Sequence, residues 1–176
     1  MNEFTLLICL LPILFIFHDF EEIIFSRVWL DHHKEEICLK FPFMKKALNM
    51  FGNLNTPAFS LAVLEEFIII SIFTIIALVF NETDLWYICF LTFSIHLLMH
   101  IIQSIAIKGY IPAVVTSVIC LPYSIYTLLL IHEEGIYNLT ESIIYSLIGI
   151  IFFGANLLLI HSIAGKLYKL LANKMK

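Results

Sequence analysis

Phe4-Thr-Leu-Leu-Ile-Cys-Leu-Leu-Pro-Ile-Leu-Phe-Ile-Phe17 runs without a break into His18-Asp-Phe-Glu21-Glu22 and then Ile23-Ile-Phe25. The apolar run is long enough to build most of a spanning helix, which needs about 20 residues. An ionisable side chain at that depth costs a few kcal/mol even on lenient insertion scales, so it persists where it has a partner or a task. His18, Glu21 and Glu22 stand at i, i+3 and i+4 and share one helix face. Asp19 falls about 100° from His18 around a helix and is read as lying off that face.

The segment is one of five. Further apolar stretches cover roughly 57–80, 85–107, 111–131 and 141–163, with the first running from about 4 to 30. At 61% hydrophobic and 14% charged residues, with a mean hydropathy of +0.96, the chain is far from a soluble domain. The expected fold is all-α: a polytopic membrane helical bundle forming a single domain over residues 1–176. The first segment lacks the basic start and small-residue cleavage site of a secretion signal and is expected to stay in the membrane. A net charge of −4 argues against a nucleic-acid partner. Cys9, Cys38, Cys89 and Cys120 lack metal-type or redox-type spacing and read as free thiols.

The connections alternate in charge. Arg27, Lys34, Lys40, Lys45, Lys46, Lys108, Lys166, Lys169, Lys174 and Lys176 all fall on one set, while Glu3, Glu82, Asp84, Glu133, Glu134 and Glu141 mark the other. The positive-inside rule then puts the N-terminus outside and the C-terminus in the cytoplasm. Residues 31–56 alternate lysines with Ile37, Leu39, Phe41, Phe43 and Met44, which suits a segment lying along the cytoplasmic leaflet. Pro42 should break any helix there. Pro57 should open the second span, Pro112 the fourth, and Pro122 should kink it.

Polar groups recur at a matching depth. Span 2 carries Glu65 and Glu66; span 3 carries His96 and His100 at i and i+4, with Gln103 continuing the stripe; span 5 carries Asn156 and His161. At ~1.5 Å per residue these groups fall roughly 8–18 Å from the cytoplasmic boundary. Four helices therefore offer His or Glu to one layer, as in helical bundles that hold metals between inward-facing carboxylates and imidazoles. The expected metal ligands come from His18, Glu21, Glu22, Glu65, His96, His100 and His161, with Gln103, Asn156 and Tyr110 in support. This donor set suits Zn²⁺, Fe²⁺ or Mn²⁺, as one ion or two. A structural polar network is the competing reading. His32, His33 and His132 read as interfacial or solvated. Asn138-Leu-Thr140 fits a glycosylation sequon on the outer side.

His18-Asp-Phe-Glu21-Glu22 resembles the signature of the HXXEE domain family, small bacterial polytopic membrane proteins without an established reaction. The likeness extends through His96-Leu-Leu-Met-His100-Ile-Ile-Gln103-Ser104, Lys108-Gly-Tyr110-Ile-Pro112 and Leu121-Pro122 to Asn156 and His161. The family pattern tends to place Gly after the proline where this chain has Ala113. The resemblance implies a multi-pass protein of the bacterial cell membrane.

Three functions compete at this stage. The first is a membrane-embedded metal-dependent enzyme, hydrolytic or di-metal oxidative, acting on a lipid or other hydrophobic substrate, with Glu22 or Glu66 taking a proton from water. The second is a carrier of metal ions or protons using the same layer. The third is a structural or regulatory subunit. A homodimer is compatible with each.

Overall fold

A computed structural model describes residues 2–45 and 56–174. It contains α1 (Glu3–Lys40), a 3-10 turn at Pro42–Met44, α2 (Thr56–Phe80), α3 (Asp84–Ile107), α4 (Val114–Glu133) and α5 (Leu139–Lys174), with no strand among the described residues. All five helices are long and apolar enough to cross a membrane. The protein is a multi-pass helical bundle.

α3 is the central element and the most buried, packing against each of the other four helices. Its inward residues Trp86, Phe90, Phe93, Leu97 and His100 recur at helical spacing, so one stripe begins as aromatic core and ends as imidazole. α1 packs chiefly between α2 and α4. α5 touches α2 and α3 alone among the described residues, and turns Ile144, Leu147, Ile151 and Leu158 outward. Gly149 permits that approach: a Cβ there would overlap Thr92 Oγ1 and stand 3.2 Å from the Ile88 carbonyl oxygen.

Local chemistry fixes the helix ends. Asn2 Oδ1 accepts from Thr5 N at 2.7 Å. Asn138 and Glu141 form a reciprocal capping box: Asn138 Oδ1 accepts from Glu141 N at 2.9 Å, and Glu141 Oε2 accepts from Asn138 N at 2.8 Å. The sequon asparagine is thus the cap of α5. α3 ends as Lys108 takes a left-handed conformation (φ 60) and its N–H bonds back to Ile105 O.

The first helix is longer than the sequence reading placed it. Residues 31–40 continue α1, supported by the Arg27–Asp31 ion pair at 3.0 Å and by His33 stacked on Trp29. It stops at Lys40 because Phe41 precedes Pro42, a position that disfavours helix. Residues 46–55 of the expected leaflet segment lie outside the described residues. Trp29 Nε1 donates to the Tyr110 carbonyl at 2.8 Å, and Lys40 Nζ to the carbonyls of Ala106 and Ile107 at 3.2 and 3.3 Å. Both ends of the 29–40 stretch therefore reach the C-terminal end of α3, so this stretch lies across it. α2 starts where Pro57 places it. α4 starts at Val114, two residues after Pro112, and runs helical through Pro122.

Candidate metal centre

Three imidazoles converge where α1 meets α3. His96 Nε2 and His100 Nε2 are 3.0 Å apart, and the His18 ring lies 5.2 Å from each of theirs, centroid to centroid. One ring nitrogen from each falls within 4.8 Å of the other two. Zn–N bonds of about 2.0–2.1 Å at tetrahedral angles separate ligand nitrogens by roughly 3.3 Å, so the spacing fits a shared ion after small adjustment. His18 has no surface exposure and His100 little.

Hydrogen-bond bookkeeping orients His18. Thr116 Oγ1 lies 2.6 Å from Glu21 Oε2 and 3.2 Å from His18 Nδ1. A hydroxyl has one proton, and the short contact to a carboxylate takes it. Toward His18 the oxygen accepts, so Nδ1 carries the imidazole proton and Nε2 keeps its lone pair. His18 Nε2 is buried and has no hydrogen-bond partner. A nitrogen lone pair left unsatisfied in an apolar interior costs free energy that an ion would recover.

Glu21 does not join the imidazoles. Besides the Thr116 hydroxyl it accepts the Thr116 backbone N–H at 2.7 Å and the Tyr110 hydroxyl at 2.9 Å. Thr116 stands in the first turn of α4, whose own N-cap, Ala113, offers no side-chain oxygen. Glu21 therefore caps α4 from α1, where a carboxylate also meets the positive end of the helix dipole. Burial and the Glu21 carboxylate push the Tyr110 phenol up to about 12, keeping it a proton donor.

A second group adjoins the first through His96. Carboxylate oxygens of Asp19 and Glu22 and a His96 nitrogen lie within 4.8 Å of one another. Glu66 of α2 is an electrostatic neighbour of both acids. Asp19, read from the helical wheel as off the face, is only 3% exposed. The inward arc of α1 is wider than one stripe because helices lie on both sides of it: Glu21 serves α4, His18 points at α3, and Asp19 and Glu22 point between α3 and α2.

The remaining sequence candidates fall elsewhere. Glu65 Oε2 accepts from Asn156 Nδ2 at 2.9 Å, a bond that fastens α5 to α2. The His161 side chain lies outside the described residues. Thr116, which sequence reasoning missed, carries no signal in an apolar span that also holds Ser117, Ser124 and Thr127.

Beside the centre lies a cavity of about 460 Å³. Glu22, His100 and Gln103 stand at one part of its lining; Leu30, Ile37 and Phe59 represent the rest, which is mainly apolar.

Fold and site define a multi-pass membrane helical bundle with buried and half-buried imidazoles and carboxylates set closely enough to hold a metal ion. The chain belongs to the family described as proteins of unknown function with an HXXEE motif, whose profile matches residues 9–127. The match takes in α1 to α4 with His18, Glu21, Glu22, His96, His100 and Thr116, and ends before Asn156 and His161, short of the extent read from the sequence. No curated protein and no solved structure matches.

Proposed function

We propose that the protein is a membrane-embedded metal-dependent enzyme acting on a hydrophobic substrate within the cytoplasmic leaflet of the cell membrane. The observation that carries this reading is His18 Nε2: buried, unpartnered, in a ring 5.2 Å from those of His96 and His100, and left with its lone pair by the Thr116 contact at Nδ1. His18, His96 and His100 would hold the ion. A divalent cation there supplies Lewis acidity and lowers the pKa of a coordinated water.

The chain's own groups account for the rest of the chemistry. Glu22, in the group that shares His96, would accept a proton, with Glu66 and Asp19 beside it to pass the proton on. Glu21 and Tyr110 act through Thr116 to fix the His18 ring. His18 and His100 are buried, and the mainly apolar cavity beside His100 suits a substrate drawn from lipid.

The test is metal analysis of purified protein, wild type beside His96→Ala. His96 belongs to both groups, so its loss should empty the site while the helical signal stays. Wild-type protein that binds none of Zn²⁺, Fe²⁺ or Mn²⁺ would leave a structural network as the better reading. The line of acids running from His96 toward Glu66 favours a second reading, a carrier of protons or cations. Metal-dependent flux in proteoliposomes would select it.

A further inference from the structure

We infer that the cavity beside the centre is the binding site for a long acyl chain, with the carbonyl end of that chain at Glu22 and His100; this substrate class rests on the proposed enzymatic reading. A cavity of about 460 Å³ is in the size range of sites that take a lipid-sized ligand. The lining has the polarity of such a ligand. Ile23, Leu30, Ile37, Phe59, Ile102 and Ile107 supply an apolar wall. The groups able to donate to a carbonyl or carboxylate are Gln103 and His100 from α3, Ser26, Trp29 and Arg27 from α1, the last of them paired with Asp31, and Thr56 at the start of α2.

The surroundings supply an entrance. The stretch from Trp29 to Lys40 lies across the end of α3 and is tied there through Tyr110, Ala106 and Ile107. It roofs the cavity with Ile37, which is buried at 4% exposure. Just beyond it, Phe43 lines the cavity while remaining 81% exposed, and Leu39 is 83% exposed among Lys34, Lys40 and Lys45. Apolar side chains exposed beside lysines mark a membrane boundary. In this inference the chain enters from the bilayer beside Phe43, which is both exposed and part of the cavity wall. Because His100 and Glu22 belong both to the cavity wall and to the two candidate metal groups, the end of a seated chain meets the centre.

The experiment uses full-length protein in phosphatidylcholine nanodiscs and a palmitic acid probe bearing a photoreactive diazirine. Labelled peptides are mapped by mass spectrometry, and metal content is read on the same samples. Labelling at Met99–Ile107 should exceed labelling of the lipid-facing Ile144–Ile151 surface at least fivefold. Excess unlabelled palmitic acid should displace it. Met99→Trp and Ala106→Trp, two separate ways of filling the cavity, should each reduce it to the α5 level with metal content unchanged. Displacement by palmitic acid alone assigns a free acid; displacement by lysophosphatidylcholine as well assigns an esterified chain. Equal labelling of both surfaces, or labelling that excess palmitic acid does not displace, would overturn the inference even if metal is bound. Selective, displaceable labelling without bound metal would sustain the lipid site and overturn the metalloenzyme reading alone.

Discussion

Glu21 Oε2 accepts two hydrogen bonds from Thr116, the backbone N–H at 2.7 Å and the hydroxyl at 2.6 Å. The pair joins the first helix to the fourth and decides what the histidine beside it can do. Because the carboxylate takes the hydroxyl proton, the imidazole must donate from Nδ1 and keep its lone pair on the buried Nε2. The three marked positions of the HXXEE string thus divide the work. In the proposed reading His18 would be the ligand, Glu21 fixes the hydroxyl that orients it, and Glu22 belongs to the adjoining carboxylates.

Thr116→Val keeps the shape of the side chain and removes the hydroxyl. His18 then loses its Nδ1 partner, and Glu21 loses one of its donors. Changes to such orienting partners typically cost about 10–100-fold in metal affinity. Competition against a chromogenic chelator should show a loss of that order for Thr116→Val, with Thr116→Ser close to wild type. Equal affinity in all three proteins would detach Thr116 from the site.

The adjacent glutamates should respond oppositely to amidation. Glu21→Gln puts an NH₂ group among three donors and strips charge from charge-assisted bonds, so a stability loss of about 1–3 kcal/mol is expected. Glu22→Gln removes one negative charge from a site shared with Asp19 and near Glu66, so stability should hold or rise. Thermal unfolding in detergent separates the two outcomes. Metal should remain in Glu22→Gln if the three imidazoles alone hold it.

Tyr110 gives the site a pH signature. Burial, followed by the hydrogen bond to Glu21, raises its phenol from 10 to about 12. A raised folded-state pKa favours the protonated form, so this contribution is complete below about 10 and fades as pH climbs through about 12. The melting temperature of wild type should exceed that of Tyr110→Phe at neutral pH by a constant margin. The margin should shrink through that alkaline window.

Much of this was legible in the residues. Five apolar stretches specified the bundle, and His96 and His100 at i and i+4 specified a shared α3 face directed at His18. The wheel failed at Asp19 because it assumes one neighbour per helix, whereas α1 is wedged between helices on two sides. It failed at Glu21 because a carboxylate capping a different helix leaves no pattern in its own segment. The length of α1 was missed because charged residues past Leu30 were read as a boundary, although Arg27 and Asp31 are an i, i+4 pair that prolongs the helix.

Ala113 shows how narrowly the site is supported. The residue sits at φ 70 with no surface exposure, in the left-handed region where glycine is free of strain. Its carbonyl accepts from Ser117 N at 2.9 Å and so starts the helix that presents Thr116 to Glu21. Glycine would be free of this strain, and alanine is the smallest side chain that carries it. A β-branched residue adds about 1–3 kcal/mol of backbone strain, and its extra methyls have no space to enter. Ala113→Val should therefore lower the melting temperature and weaken metal binding together, whereas Ala113→Gly should bind metal as wild type does. If Ala113→Val melted and bound metal like the parent, the first turn of α4 would not be what holds Thr116 against Glu21.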